Sequence, residues 1–97
     1  MKTLVEIEKT LSEHKAELKA KYDIKEIGIF GSYVRGEQSK KSDIDILVEF
    51  YEVPDLFKFI EIERYLEELI GIKVDLVRKA GIRIELRDQI LSEVVQV

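Results

Sequence analysis

The stretch IKEIGIFGSYVRGEQSKKSDIDILVEF, residues 24–50, decides the fold. It opens on Ile24–Phe30, a run of β-branched and aromatic residues that stops at Gly31 and therefore reads as a strand. Ser32–Ser42 contains Gly36, Ser39 and two lysines, the composition of a short helical turn followed by loop. Asp43–Phe50 then alternates. Ile44, Ile46, Val48 and Phe50 share one face, and Asp43, Asp45, Leu47 and Glu49 share the other. Period two marks a second strand with one face turned to a core.

On the amino-terminal side, Leu4, Ile7, Leu11 and Leu18 fall on one helical stripe, which predicts a helix from Thr3 to Tyr22. His14 lies on that stripe. With no second His to share a metal, it is expected at the half-buried boundary of the helix, not as a ligand. On the other side, Pro54 closes a turn and Asp55 can cap a helix running to Ile70. Phe59, Ile62, Leu66, Leu69 and Ile70 form its apolar stripe, and Gly71 is placed to end it. Ile72–Val77 predicts a third strand, with Lys73, Asp75 and Val77 opposite Ile72, Val74 and Leu76. Gly81 precedes a last helix over Ile84–Glu93, and Val94–Val97 can add a short edge strand. The order α-β-α-β-α-β-α describes an α/β (α+β) two-layer domain, a short mixed sheet with helices packed on one face.

Length and charge bound what such a domain can be. Its 97 residues suit a single domain, 1–97, with one core. No apolar run approaches the roughly 18 residues of a membrane span. Charges interrupt every apolar stretch at the amino terminus, so no secretory signal is expected. The absence of Cys excludes disulfides, thiolate metal sites and a cysteine nucleophile. The expectation is a soluble cytoplasmic domain. Its net charge of −4 is unevenly spread: residues 42–68 hold two basic and nine acidic side chains. That acidic middle disfavours direct nucleic-acid binding, which depends on Lys and Arg at phosphates. Glu61, Glu63, Glu67 and Glu68 are expected to form a solvated helix face.

Asp43 and Asp45 differ from those glutamates because they interrupt an apolar strand, where charge has no structural reason to sit. At i and i+2 they share a face, and two neighbouring carboxylates call for a cation such as Mg²⁺, which favours hard oxygen ligands. Strand parity projects Asp75 to the same side. Three carboxylates from two strands can hold two metal ions about 3.5–4 Å apart for phosphoryl transfer. Pairing of Asp75 with Lys73 or Arg78 on an open sheet face is the structural alternative. Gly31-Ser32 begins a helical turn directly after a strand, where backbone N–H groups and a hydroxyl suit phosphate. Arg35, Lys40 and Lys41 lie in the same loop and could offset phosphate charge.

Gly31-Ser32-Tyr33-Val34-Arg35-Gly36-Glu37, with Ser42-Asp43-Ile44-Asp45-Ile46-Leu47-Val48, resembles the G-S-x-x-R-G … S-D-I-D-L-x-V signature of the polymerase-beta-like nucleotidyltransferases. Lys73-Val74-Asp75-Leu76-Val77 is similar to their third-carboxylate strand, and the length matches the minimal nucleotidyltransferases. The resemblance implies the nucleotidyltransferase fold, with Gly31 and Ser32 as the phosphate-binding pair. It also implies Asp43 and Asp45 as Mg²⁺ ligands, Asp75 as the third metal-binding and hydroxyl-activating carboxylate, and a partly structural Arg35 at the nucleotide. It further implies transfer of AMP from ATP to a hydroxyl. In the minimal group that is a tyrosine of a HEPN-domain toxin, for which the transferase is the antitoxin. Two alternatives stay open: a non-catalytic antitoxin or binding module acting by occlusion, with Tyr51 and Phe57 as interface anchors (Phe57 suits the core equally), and a small-molecule transferase, whose pocket a homo-oligomer or a partner would have to wall.

Overall fold

The computed structural model describes residues 2–97. Its centre is the antiparallel pair formed by β1 (Ile24–Phe30) and β2 (Ile44–Phe50). Ile27 lies opposite Val48, Ile29 opposite Ile46, and Phe30 opposite Asp45. Helix α2 (Ser32–Arg35) occupies the start of the connection between them. β3 (Val74–Arg78) pairs with β2 in parallel, and a parallel neighbour needs a crossover, supplied by α3 (Leu56–Ile70). A 3-10 turn over Lys79–Gly81 and helix α4 (Ile84–Glu93) lead to β4 (Val95–Gln96), which pairs antiparallel with β1. The mixed sheet has the order β3-β2-β1-β4.

The period-two faces of β2 and β3 sort as their residues predict; in β1 a register shift between Ile24 and Glu26 breaks the alternation, so that Ile24 joins Ile27 and Ile29 in the core. Ile24, Ile27 and Ile29 of β1, Ile44, Ile46 and Val48 of β2, and Val74 and Leu76 of β3 are all buried. They pack against Ile7, Leu11, Leu18 and Tyr22 of α1 (Leu4–Tyr22) and Ile62, Leu66 and Ile70 of α3. Thr3 caps α1 by accepting the Glu6 N–H at 3.3 Å, and Asp55 caps α3 by accepting the Lys58 N–H at 2.8 Å. Gly71 ends α3 in the left-handed region at φ 78°. Helix α1 ends instead on Asp23 at φ 55°, a residue type that tolerates this conformation. His14 is half-buried, its Nδ1 2.9 Å from the Thr10 carbonyl oxygen within its own helix.

Two expectations need correction. Strand β2 begins at Ile44, whose N–H donates to the Lys73 carbonyl; Asp43 precedes that first rung and is exposed. Glu63 and Glu67 are not a solvated face. Glu67 Oε2 accepts the Val74 N–H at 2.9 Å, and Glu63 Oε2 accepts the Leu76 N–H at 3.2 Å. β3 is an outer strand, so these N–H groups have no partner strand, and the crossover helix supplies carboxylates in its place. Glu61 and Glu68 remain exposed. Among the described residues no helix is long and apolar enough to cross a membrane.

Candidate active site

Asp45 and Asp75, two of the three expected site carboxylates, lie on the face of the sheet opposite the core. Asp45 on β2 lies directly beside Asp75 on β3 in the parallel register, so both carboxylates rise from the same side. Asp43 stands just ahead of β2, close enough for its charge to act on Asp45. Phe30 is the register partner of Asp45 on the other side, which brings Gly31, the next residue, against the same carboxylate. Gly31 has φ 84° and ψ −154°, a conformation suited to glycine alone. A Cβ there would overlap Asp45 Oδ2 and come within 2.9 Å of Asp45 Cγ. The glycine is thus required twice, by its backbone angle and by the approach to Asp45.

Burial pushes the Asp45 carboxyl up to about 6, and the Asp75 and Asp43 charges add to that rise while Arg35 opposes it. The folded protein therefore holds this proton to higher pH than the unfolded chain does. The linked stability is fully present below the ordinary value of 3.8 and is lost as the pH rises through about 6. About two units correspond to roughly 3 kcal/mol, reduced to about 1–2 kcal/mol because the site is partly open to solvent. Asp45→Asn is therefore expected to raise the melting temperature at pH 8, in EDTA, by several degrees (about 4–8 °C per kcal/mol for a domain of this size). At pH 3.5 the difference should vanish. Calorimetry at the two pH values checks it, and equal melting temperatures at pH 8 would contradict the strain assigned to Asp45.

The three carboxylates do not form a closed cage: among the described residues no group of three or more His, Cys, Asp or Glu is placed to hold an ion. The donor set still suits Mg²⁺. All its atoms are hard carboxylate oxygens, and a divalent cation would relieve the repulsion that raises Asp45. Asp75 forms no ion pair with Lys73 or Arg78 among the described residues. Beside Asp43 opens a cleft of about 940 Å³, lined by Lys2, Lys40, Lys41 and Lys73 together with Tyr33 and Ser42. Lys40 and Lys41, unremarkable as loop lysines, acquire a common direction only through the fold. A second hollow, about 810 Å³, lies between residues of α1 and α3, among them Lys21, Tyr22, Phe57 and Arg64, and none of Asp43, Asp45 and Asp75 lines it.

Ser32, half-buried, opens α2, and its carbonyl accepts the Glu37 N–H at 2.9 Å. Arg35 donates from Nε to Glu37 at 2.6 Å and from Nη1 to Glu93 at 3.0 Å. These hydrogen bonds, that to Glu37 first, raise the pKa of its guanidinium above the ordinary value. Glu93 also accepts the Gly31 N–H at 3.1 Å. Local sequence reading misses Glu93, which lies 62 positions from Gly31. One signal was available: a carboxylate in the last position of a helix opposes the helix dipole and so needs a partner elsewhere. Tyr51 and Phe57 are exposed, at 73% and 84%, but they follow the far end of β2, about 20 Å of strand away from Asp45.

The model of the nucleotidyltransferase domain matches residues 11–97. The chain belongs to this family. It is 54% identical over 97 residues to the protein adenylyltransferase MntA of Thermococcus cleftensis, covering 100% of this chain and 98% of that one. Among solved structures, this nucleotidyltransferase superposes on a chain assigned as a minimal nucleotidyltransferase with a TM-score of 0.75 at 33% identity, covering 94% and 95% of the two chains. It also matches a chain of a toxin–antitoxin complex with AMP-PNP, with a TM-score of 0.69 at 29% identity, covering 93% and 68%. The expected fold, the mixed sheet of a minimal nucleotidyltransferase, is the fold observed.

Proposed function

We propose that this nucleotidyltransferase moves the adenylyl group of ATP onto a hydroxyl, a tyrosine of a HEPN-domain toxin, and so acts as the antitoxin. The observation that carries the reading is the Asp45–Asp75 register pair with Gly31 pressed against it, beside a lysine-lined cleft wide enough for a triphosphate. Likeness to a protein adenylyltransferase and to a chain of a toxin–antitoxin complex supports the choice of donor and partner.

In this mechanism Gly31 and Ser32 face the phosphates, and the lysines of the cleft offset their charge. Asp43, Asp45 and Asp75 would hold Mg²⁺, which supplies Lewis-acid stabilisation of the charge developing at the α-phosphate. The acceptor oxygen attacks the α-phosphorus, the bond to the bridging oxygen of the β-phosphate breaks, and pyrophosphate leaves. Exposed Asp75 takes the hydroxyl proton. Asp75 is exposed, so a partner's hydroxyl can reach the open carboxylate face from solvent.

The test is incubation of purified partner with α-labelled ATP, Mg²⁺ and the full chain, followed by mass spectrometry. An AMP adduct on a partner tyrosine is expected. Neutralisation of the toxin without any adduct would sink the catalytic reading and leave occlusion.

A further inference from the structure

We infer that Glu93 is a positioning residue of the nucleotide site: its carboxylate, delivered by the end of α4, sets the Gly31 turn against Asp45 and holds Arg35 beside it. The inference rests on the nucleotide-binding reading of Gly31 and Ser32, and it goes beyond the family motif, to which Glu93 does not belong.

Three contacts carry it. Glu93 Oε1 accepts the Gly31 N–H at 3.1 Å, while Oε1 and Oε2 accept from Arg35 Nη1 at 3.0 and 3.1 Å. Arg35 is held from its other side by Glu37, so two carboxylates bracket one guanidinium. Gly31 is the N-cap of α2 and has no side chain with which to cap it. Left alone, its N–H would lose this partner and its backbone, at φ 84°, would be free to sample the many other conformations open to glycine. A relaxed Gly31 would move away from Asp45, which lies where its Cβ would be, and would turn Ser32 with it.

Helix α4 ends at Glu93, just before β4 pairs with β1, which brings that carboxylate to the end of the sheet near Gly31. None of its residues is buried, and Ile84 is 87% exposed. Glu93, by contrast, is only 16% exposed at its side chain. A helix that contributes nothing to the core therefore places one half-buried carboxylate at the phosphate turn. The same carboxylate could instead be read as occupying a phosphate's place, and the two roles predict opposite signs for nucleotide affinity.

The experiment uses the full chain as wild type, Glu93→Gln and Glu93→Ala. It records ¹H–¹⁵N spectra with amide exchange, and titrates Mg²⁺ and AMP-PNP by calorimetry. Glu93→Gln keeps a carbonyl acceptor for the Gly31 N–H; Glu93→Ala removes it. In Glu93→Ala the Gly31 amide should exchange about tenfold faster and AMP-PNP should bind about tenfold more weakly, a loss of one hydrogen bond's order. Glu93→Gln should recover most of both, and unchanged far-UV circular dichroism shows that the fold survives. Tighter AMP-PNP binding in Glu93→Ala would overturn positioning in favour of competition with phosphate. Unaltered affinity or an unaltered Gly31 amide would also overturn it. Failure of the wild type to bind AMP-PNP would instead overturn the nucleotide reading on which the role rests.

Discussion

Asp43→Ala is expected to lower adenylyl transfer by about 10³-fold or more while leaving the fold intact. The size follows from the charge removed. A carboxylate at a phosphoryl-transfer metal centre contributes several kcal/mol of transition-state stabilisation, and about 4 kcal/mol corresponds to three decades of rate. Asp43 is the cleanest place to make the change, because it is exposed and precedes the first rung of β2. Its loss removes no core contact and relieves a like charge acting on Asp45, so the melting temperature should hold or rise. The measurement is label transfer from ATP to the partner under saturating nucleotide, compared with AMP-PNP affinity for the same variant. A fall in transfer with affinity largely kept marks a group that acts in the transition state. Transfer at the wild-type rate would remove Asp43 from the mechanism.

Gly31→Ala should damage the site by a different route. The added methyl would meet Asp45 Oδ2 at overlapping distance, and the backbone at φ 84°, ψ −154° admits no L side chain without strain of about 1–3 kcal/mol. Either Asp45 must turn away from Asp75 or the turn must leave its position. Both outcomes abolish nucleotide binding in the proposed geometry and lower the melting temperature by roughly 4–8 °C for each kcal/mol. Gly36→Ala is the control. It too has positive φ, 72°, but nothing lies within 4 Å of the position a Cβ would take. It should cost only the left-handed backbone penalty of about 1–2 kcal/mol and leave AMP-PNP binding nearly intact. Equal loss of binding in the two variants would show that the contact with Asp45 does not matter.

The contrast between these two glycines indicates where sequence reading stops. Both occupy the family motif, and neither periodicity nor composition distinguishes them. Strand alternation is local, so the buried faces of β2 and β3 were legible from Ile44, Ile46 and Val48 and from Val74 and Leu76, whereas β1 was legible only as a strand. The caps Asp55 and Gly71 were legible for the same reason, since each acts on backbone within four residues of itself. Asp45 and Asp75 could be placed on one face by parity, but not side by side. That required the parallel register, which the crossover through α3 sets.

The amino-acid sequence by itself determined the order of elements, the core stripes of α1, α3, β2 and β3, and the chemical types offered to the proposed site: three carboxylates, a Gly-Ser turn and nearby cations. These follow from short-range rules, in which a residue's role depends on neighbours a few positions away. Only the tertiary structure decided which polar groups meet. It set Glu63 and Glu67 on the open N–H groups of β3, gathered Lys2 and Lys73 with Lys40 and Lys41 around one cleft, and brought Glu93 across 62 positions to Gly31. The physical reason is that hydrogen bonds and charges act over a few ångströms of space, whatever their separation along the chain. Which donor finds which acceptor is settled only when the sheet has closed and the helices have packed.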